Sequence, residues 1–214
     1  MEQNKIYSKM FTWLFVGLMI TFISGYSLSL NLNLLYSVLS LGIIPIIVIE
    51  LAIAFIMGLR IKKMNPITTK ICYIIYCITT GITFASIFIA YDMLSIMSIF
   101  LVTAILFGIF AIIGHTTKLD LTKFATILFV ALISIIIVSI LNIFIFKSSQ
   151  LELVLSIIGI LIFLGYIVYD INTVKYLMDS IGEEKAAVYG AFQLYLDFIN
   201  LFIRLLELFG KSDN

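Results

Sequence analysis

Long apolar segments alternate with short polar breaks along the chain. The breaks fall at residues 31–33, 60–70, 91–92, 115–123, 147–150 and 175–185. Each apolar segment between them is close to the roughly 20 residues that a helix needs to cross a bilayer. The pattern therefore predicts seven transmembrane helices, at residues 10–30, 34–59, 69–91, 93–113, 124–146, 151–173 and 186–209.

Composition supports this prediction. The chain is 63% hydrophobic and only 12% charged, more apolar than a soluble core requires. The expected fold class is an all-α integral membrane protein with a single transmembrane domain over residues 1–214. Basic tails or stripes that would indicate nucleic acid as a partner are absent from the sequence. Cys72 and Cys77 share one apolar segment, where they are expected to be small buried groups rather than a disulfide.

The distribution of lysine and arginine predicts the orientation. One set of ends and loops holds Lys5, Lys9, Arg60, Lys62, Lys63, Lys70, Lys118, Lys123, Lys175 and Lys185, whereas the other side holds only Lys147 and Lys211. Because positive residues favour the cytoplasmic side, the N-terminus is predicted in the cytoplasm and the C-terminus outside. Pro45, inside the predicted second span, is expected to kink that helix.

The last apolar segment, GAFQLYLDFINLFIRLLELFG, contains several polar residues that helical geometry collects on one face. At about 100° per residue they fall within an arc of roughly 80°. They are Tyr189, Gln193, Asp197, Asn200, Arg204 and Glu207. An ionisable group at the bilayer centre costs about 2.5–3.5 kcal/mol, so this face must contact other helices or water. The seventh helix is therefore predicted to be central and wrapped by the other six.

Asp170 on the sixth span is a candidate partner for Asp197. Gly182 is the predicted break between the two helices. In an antiparallel hairpin the two aspartates lie about 18 and 22 Å from it, at nearly the same depth. Two carboxylates in one desolvated site cannot both ionise cheaply, so the pair would be sensitive to protons. The alternative is that Asp170 caps the cytoplasmic end of its helix near water and never meets Asp197.

Other charged residues allow two interpretations each. Arg60, at the end of the second span, either binds a carboxylate through its guanidinium or extends to the membrane surface beside Lys62 and Lys63. Glu50 is either an interior polar contact or a second group lining a pathway. Arg204 and Glu207, at i and i+3, either neutralise each other or line that pathway. His115, the only histidine, has no neighbouring ligand cluster in the sequence that would indicate a metal site.

Two motifs, LGYIVYDIN in the sixth span and QLYLDFINLFIRLL in the seventh, resemble the transmembrane Bax inhibitor motif family. Its bacterial members are seven-helix calcium-leak proteins. The resemblance implies that Asp170 and Asp197 are a hydrogen-bonded, pH-sensing pair that closes a pore. It also implies that Arg60 is a latch for the aspartate of the sixth helix. Arg204 and Glu207 depart from the common pattern of the family.

The resulting hypothesis is a pH-sensitive calcium leak channel. The membrane that contains it is expected to be the bacterial cell membrane. It is expected to be neither an enzyme nor a cofactor protein. Its partners would be calcium as the permeant ion, protons and lipid. The possible pore-lining residues are Glu50, Gln193, Asn200, Arg204 and Glu207, and Asp170 and Asp197 are candidates for transient calcium binding.

Two other classes of function remain open on the sequence alone. A membrane scaffold that conducts no ions and acts through partner proteins would leave little trace on lipid-facing helices. An intramembrane aspartyl protease is suggested by Tyr169 and Asp170, because paired membrane aspartates are the catalytic acid and base of such enzymes. The protease signature fails at the second aspartate, because Leu194, Tyr195 and Leu196 supply no glycine before Asp197.

Overall fold

The computed structural model describes residues 2–40, 42–119 and 121–211. Within these ranges the chain is helical and forms no β-strand. The α-helices are α1 (Glu2–Ser29), α2 (Leu32–Ser40), α3 (Ile43–Arg60), α4 (Pro66–Ala90), α5 (Met93–Thr116), α6 (Thr122–Leu141), α7 (Ser149–Ile181) and α8 (Glu183–Phe209). A π-helical turn, Asn142–Phe146, extends α6.

Six helices in the described ranges are long and apolar enough to cross a membrane. Their spans are Lys5–Ser29, Pro66–Ala90, Met93–Thr116, Lys123–Phe146, Ser149–Ile181 and Glu183–Phe209. Many large apolar side chains on these helices are exposed, including Ile127, Phe129 and Val130 on α6. A soluble protein rarely exposes so continuous an apolar surface, whereas lipid solvates it well. The protein is therefore an integral membrane protein, and the arrangement of exactly seven spans remains a prediction.

The predicted continuous second span, residues 34–59, is divided in the structure. The segment forms α2 and α3, and Gly42 between them has a φ of 87°, a conformation that glycine adopts without strain. Leu41, also in the predicted span, lies outside the described residues. The predicted kink at Pro45 is wrong. Pro45 lies in the first turn of α3, where its missing N–H removes no intrahelical hydrogen bond.

The predicted break at residues 175–185 is also mostly helical. Helix α7 continues to Ile181, eight residues beyond the predicted end at 173, and α8 begins at Glu183. Only Gly182 separates them, with a φ of 84°. The sequence predicted this glycine as the breaker, but the polar residues around it suggested a longer loop. They form the ends of two helices that extend past the apolar core.

The chain contains two compact units. The first comprises the described residues up to Met93 together with residues 174–195. In it, α1 and α4 approach closely at Gly81, where a Cβ atom would lie only 2.8 Å from the carbonyl oxygen of Thr21. The N-terminus of α8 is held by ion pairs of Glu183 with Lys9, at 2.7 Å, and of Glu184 with Lys70.

The second unit comprises Leu94–Thr173 and Leu196–Lys211. Ile135 of α6 packs with Leu155 and Ile162 of α7 in a buried cluster. Phe198 of α8 packs against Phe100 and Phe107 of α5, with ring centroids 5.2 and 5.6 Å apart. These contacts join α6 to α7 and α5 to the C-terminal half of α8 within the second unit.

Helix α8 is the most buried of the six candidate spans. In its apolar window 72% of the residues are buried, compared with 39% or fewer in the other five. A helix that is apolar on most faces but carries charges is expected to lie in the protein interior. The burial agrees with an interior last helix, while its predicted place at the centre of seven helices remains a prediction.

Candidate functional site

A pair of buried carboxyl groups lies within the second unit. Asp170 on α7 is 7% exposed and Asp197 on α8 is 4% exposed. Their side chains share a hydrogen bond. A hydrogen bond between two carboxyl groups requires a proton on one of them, because an ionised carboxylate only accepts. The geometry therefore holds one proton between two helices, and the alternative in which Asp170 never meets Asp197 does not apply.

Polar neighbours surround the aspartate pair. Tyr166, one turn before Asp170, lies close to both aspartates, and Tyr169 lies close to Asp170. The amide of Asn172 donates to the carbonyl oxygens of Gly114, at 3.4 Å, and Thr117, at 3.2 Å, which ties α7 to the end of α5. Among the described residues, the Oδ2 atom of Asp197 is buried and has no hydrogen-bond partner. A buried oxygen in this state favours any change that brings it a proton, a donor or a cation.

A second polar contact joins α7 and α8 farther from the turn. The guanidinium of Arg204 pairs with the carboxylate of Glu207 at 2.9 Å. The hydroxyl of Ser156 on α7 donates to the same Glu207 oxygen at 2.8 Å. The structure thus shows the mutual neutralisation that the spacing of Arg204 and Glu207 allowed, and it adds a contact across the helices.

The residues that join the two helices form what we call the α7/α8 seam. On α7 they are Ser156, Gly159, Tyr166 and Asp170, and on α8 they are Asp197, Arg204 and Glu207. The α7 members are three, four or seven residues apart, which places them on one helical face. This spacing was readable from the sequence. Serine, glycine and tyrosine carry no strong hydropathy signal, so the spacing of these residues does not by itself predict a functional site.

The remaining predicted site residues are not all brought together. Arg60 is exposed at the C-terminal end of α3 and belongs to the first unit, whereas Asp170 belongs to the second. Its predicted role as a latch stays a prediction. Glu50, half-buried on α3, accepts a hydrogen bond from Thr83 of α4 at 3.4 Å. This contact agrees with the interpretation of Glu50 as an interior polar contact.

The polar face of α8 is less buried than its apolar faces. Gln193, Asn200 and Arg204 are half-buried and Glu207 is exposed, whereas the apolar residues between them are mostly buried. Asp197 is the buried exception. The side-chain amide of Asn200 donates to the carbonyl oxygen of Leu196 on its own helix at 2.7 Å. Amide and carboxylate oxygens on a partly open face could bind a hard cation such as calcium.

A cluster in the first unit was not anticipated. The Thr21 hydroxyl donates to the carbonyl oxygen of Cys77 at 3.0 Å and forms a short hydrogen bond with Tyr195. Tyr73 donates to the carbonyl oxygen of Trp13 at 2.9 Å. Both cysteines are free thiols; Cys77 is buried as predicted, whereas Cys72 is only half-buried, so its predicted burial is wrong. The network joins α1, α4 and α8, and hydroxyl groups within apolar segments gave no periodic signal for it.

The described residues contain no group of three or more histidine, cysteine or acidic side chains that could hold a metal ion. His115 is exposed near the end of α5. The charged groups that α7 and α8 bring together in the second unit are the aspartate pair and the contact of Arg204 and Glu207 with Ser156. Neither arrangement resembles a resident metal centre with a full set of protein ligands.

Comparison with known proteins gives a consistent result over the full chain. A family described as "Inhibitor of apoptosis-promoting Bax1" matches residues 3–214. The inner membrane protein YbhL of Escherichia coli K12 is 36% identical over 213 residues, covering 95% of this chain and 90% of YbhL. An uncharacterized protein of Borreliella burgdorferi is 34% identical over 219 residues, covering 99% and 94%. An uncharacterized protein of Deinococcus radiodurans is 30% identical, covering 96% and 90%.

These relatives are bacterial, and none of the three carries the name of an enzyme. The family match and the identities extend well beyond the two motifs that suggested the resemblance. Together with the apolar helices, they establish that the chain is an integral membrane protein belonging to the family of inhibitors of apoptosis-promoting Bax1.

Proposed function

We propose that the protein is a pH-sensitive calcium leak channel in which Asp170 and Asp197 form the proton-sensitive gate. The observation that carries this proposal is the buried hydrogen bond between the two carboxyl groups. Loss of the shared proton leaves two adjacent carboxylates in a desolvated site, and their repulsion opposes the contact between α7 and α8. Protonation therefore biases the helices between two arrangements.

The polar face of α8 supports calcium as the ion. Calcium prefers oxygen ligands, and Gln193 and Asn200 supply amide oxygens near the carboxyl group of Asp197 along the helix. In this proposal Asp170 and Asp197 bind calcium transiently when they are unprotonated. Glu50 lines the pathway, and Arg60 competes with Asp197 for Asp170 as a latch.

The test uses purified protein in liposomes that contain a calcium-sensitive dye. Calcium influx is followed while the pH is varied from acidic to slightly alkaline. We expect influx that varies with pH for the wild type. We expect a flattened pH response for Asp170→Asn and Asp197→Asn, because an amide cannot gain or lose the shared proton. Asp179→Asn is the matched control, since Asp179 is exposed near the end of the same helix.

Two results would contradict the proposal in different ways. An unchanged pH response in both aspartate variants would falsify the assignment of the gate. Absence of calcium influx with folded wild-type protein at every pH would remove the channel and favour a scaffold that acts through other proteins. Substituting Arg60 with Gln tests the latch separately, because loss of the latch should change the pH of half-maximal influx without abolishing the response.

A further inference from the structure

The contact among Arg204, Glu207 and Ser156 has a geometry that the aspartate gate does not use. Glu207 lies ten residues after Asp197, about 15 Å along α8. One carboxylate oxygen of Glu207 accepts from both the guanidinium of Arg204, at 2.9 Å, and the hydroxyl of Ser156, at 2.8 Å. The carboxylate is thus held between a cation on its own helix and a neutral oxygen on the neighbouring one.

Gly159 makes room for this arrangement on α7. A Cβ atom at Gly159 would lie 3.3 Å from Nε of Arg204 and 3.4 Å from its Cδ and Cγ. The arginine side chain therefore lies along the surface of α7, directly over the glycine. From there its guanidinium reaches Glu207 one turn farther along α8. The contact at Glu207 is therefore made by a guanidinium, whereas the contact between the aspartates depends on a shared proton.

We propose that Glu207 and Ser156 form a transient binding site for a divalent cation and that Arg204 is a tethered cation that competes for it. The carboxylate and hydroxyl oxygens are hard ligands of the kind that calcium prefers. The side chains of Arg204 and Glu207 are 25% and 31% exposed, so the contact is open enough for further oxygen ligands to complete the coordination of an ion. A site with one carboxylate binds a cation weakly, and weak binding allows a permeating ion to leave the site.

The competition follows from charge. An approaching cation and the guanidinium both require the Glu207 carboxylate, and the ion is admitted only when Arg204 moves away from it. The position of Arg204 along Gly159 provides a cationic group that stays near the site after it is displaced. The role of this site in transport rests on the proposed function, because that role places the site in the conduction pathway. The binding of a cation at Glu207 can be tested without conduction.

The main variant is Arg204→Gln, which removes the charge but keeps an amide that donates to Glu207. In dye-loaded liposomes we expect the calcium concentration for half-maximal influx to fall by about fivefold, a factor within the range measured for partly exposed ion pairs. The double variant Arg204→Gln with Glu207→Gln retains a hydrogen-bonded pair without charges and should lose this gain. Lys211→Gln, which removes an exposed positive charge after α8, is the matched control for surface charge.

A binding measurement separates this inference from the channel proposal. Calcium should stabilise detergent-solubilised Arg204→Gln against thermal unfolding more than it stabilises the wild type. The added stabilisation should disappear in the double variant and decrease in Arg204→Gln with Ser156→Ala. Magnesium at the same concentration measures selectivity. If Arg204→Gln does not fold, Glu207→Gln alone tests the site, because loss of the carboxylate should raise the half-maximal calcium concentration.

The outcomes are distinct. If Arg204→Gln changes neither the calcium dependence of influx nor the stabilisation by calcium, the ion pair is only a structural contact and the inference is overturned. The proposal of an aspartate gate is then tested only by the pH response of the aspartate variants. If the wild type and its variants conduct no calcium but the stabilisation appears in Arg204→Gln and disappears in the double variant, the cation site stands and the channel proposal fails.

Discussion

The two polar contacts of the α7/α8 seam differ in the charges that they bring together. At the contact closer to the turn, Asp170 and Asp197 are two acids that share a hydrogen bond and therefore require a proton. Farther along, Arg204 and Glu207 are opposite charges that neutralise each other without one. The same helix pair thus has one contact that depends on a proton and one that is made of opposite charges. In the functions that we propose, the first contact responds to pH and the second to competing cations.

The largest expected effect comes from removing one acid of the buried pair. Asp197→Ala leaves the Asp170 carboxyl buried without its partner, so we expect a loss of about 1–3 kcal/mol in the free energy of unfolding. Asp197→Asn should lose less, because its amide still donates to Asp170. Unfolding by SDS in mixed micelles at one pH measures both. Equal losses for the two variants would show that the hydrogen bond contributes little.

The pH dependence of stability distinguishes the two contacts directly. The folded pair retains a shared proton, whereas solvated aspartates in the unfolded chain lose theirs well below neutral pH. The folded state therefore binds more protons, and its stability should fall as the pH rises, by at most about 1.4 kcal/mol per pH unit for one proton. The midpoint of SDS unfolding at several pH values measures this slope. We expect a smaller slope for Asp170→Asn, and the wild-type slope for Glu207→Gln.

The opposite-charge contact should contribute less to stability. Glu207→Gln removes a partly exposed ion pair but retains a hydrogen-bonding side chain for Ser156, so we expect a loss of about 0–1 kcal/mol. SDS unfolding under low and high salt measures it, and the loss should shrink as salt screens the pair. A loss as large as that for Asp197→Ala would contradict the view that only the aspartate contact is strongly desolvated.

The smallest expected effect tests the approach of Arg204 to α7. Gly159→Ala places a Cβ atom 3.3–3.4 Å from three side-chain atoms of Arg204, which must shift by a few tenths of an ångström. This strain opposes the stabilisation that the higher helix propensity of alanine provides. The net change in the free energy of unfolding should therefore be close to zero. Gly108→Ala on α5 is the control, because no atom lies within 4 Å of its added Cβ. There we expect a gain of about 0.4–1 kcal/mol in unfolding experiments.

Much of the fold was predictable because membrane insertion imposes a strong apolar signal. Six candidate spans lie where the hydropathy placed them, and Gly182 was recognisable as the break between the last two helices. The division of the second predicted span was not recognised. Its apolar run continues through LGIIPIIV, and hydropathy does not register a change of backbone conformation at Gly42. The hydropathy pattern therefore predicts Pro45 inside a helix, whereas it lies in a first turn.

The candidate site was predictable where charge was involved. Asp170 and Asp197 were paired by counting residues from Gly182, and Arg204 with Glu207 by their i,i+3 spacing. The sequence does not predict the contacts of Ser156, Gly159 and Tyr166. The hydropathy of these residues is the same whether they face another helix or lipid. Their roles depend on the register between two helices. Counting from Gly182 gives the depth of a residue along each helix, but not the face that the helix turns towards its neighbour.

The single-residue turn at Gly182 has a consequence for how the protein enters the membrane. With one residue between a 33-residue helix and a 27-residue helix, the two can form a helical hairpin before either is inserted. Asp170 and Asp197 would then enter the bilayer already hydrogen-bonded, instead of crossing separately at the cost of an unpaired acid in each helix. In such a hairpin, the contact proposed to sense protons would also lower the cost of inserting the two acidic helices.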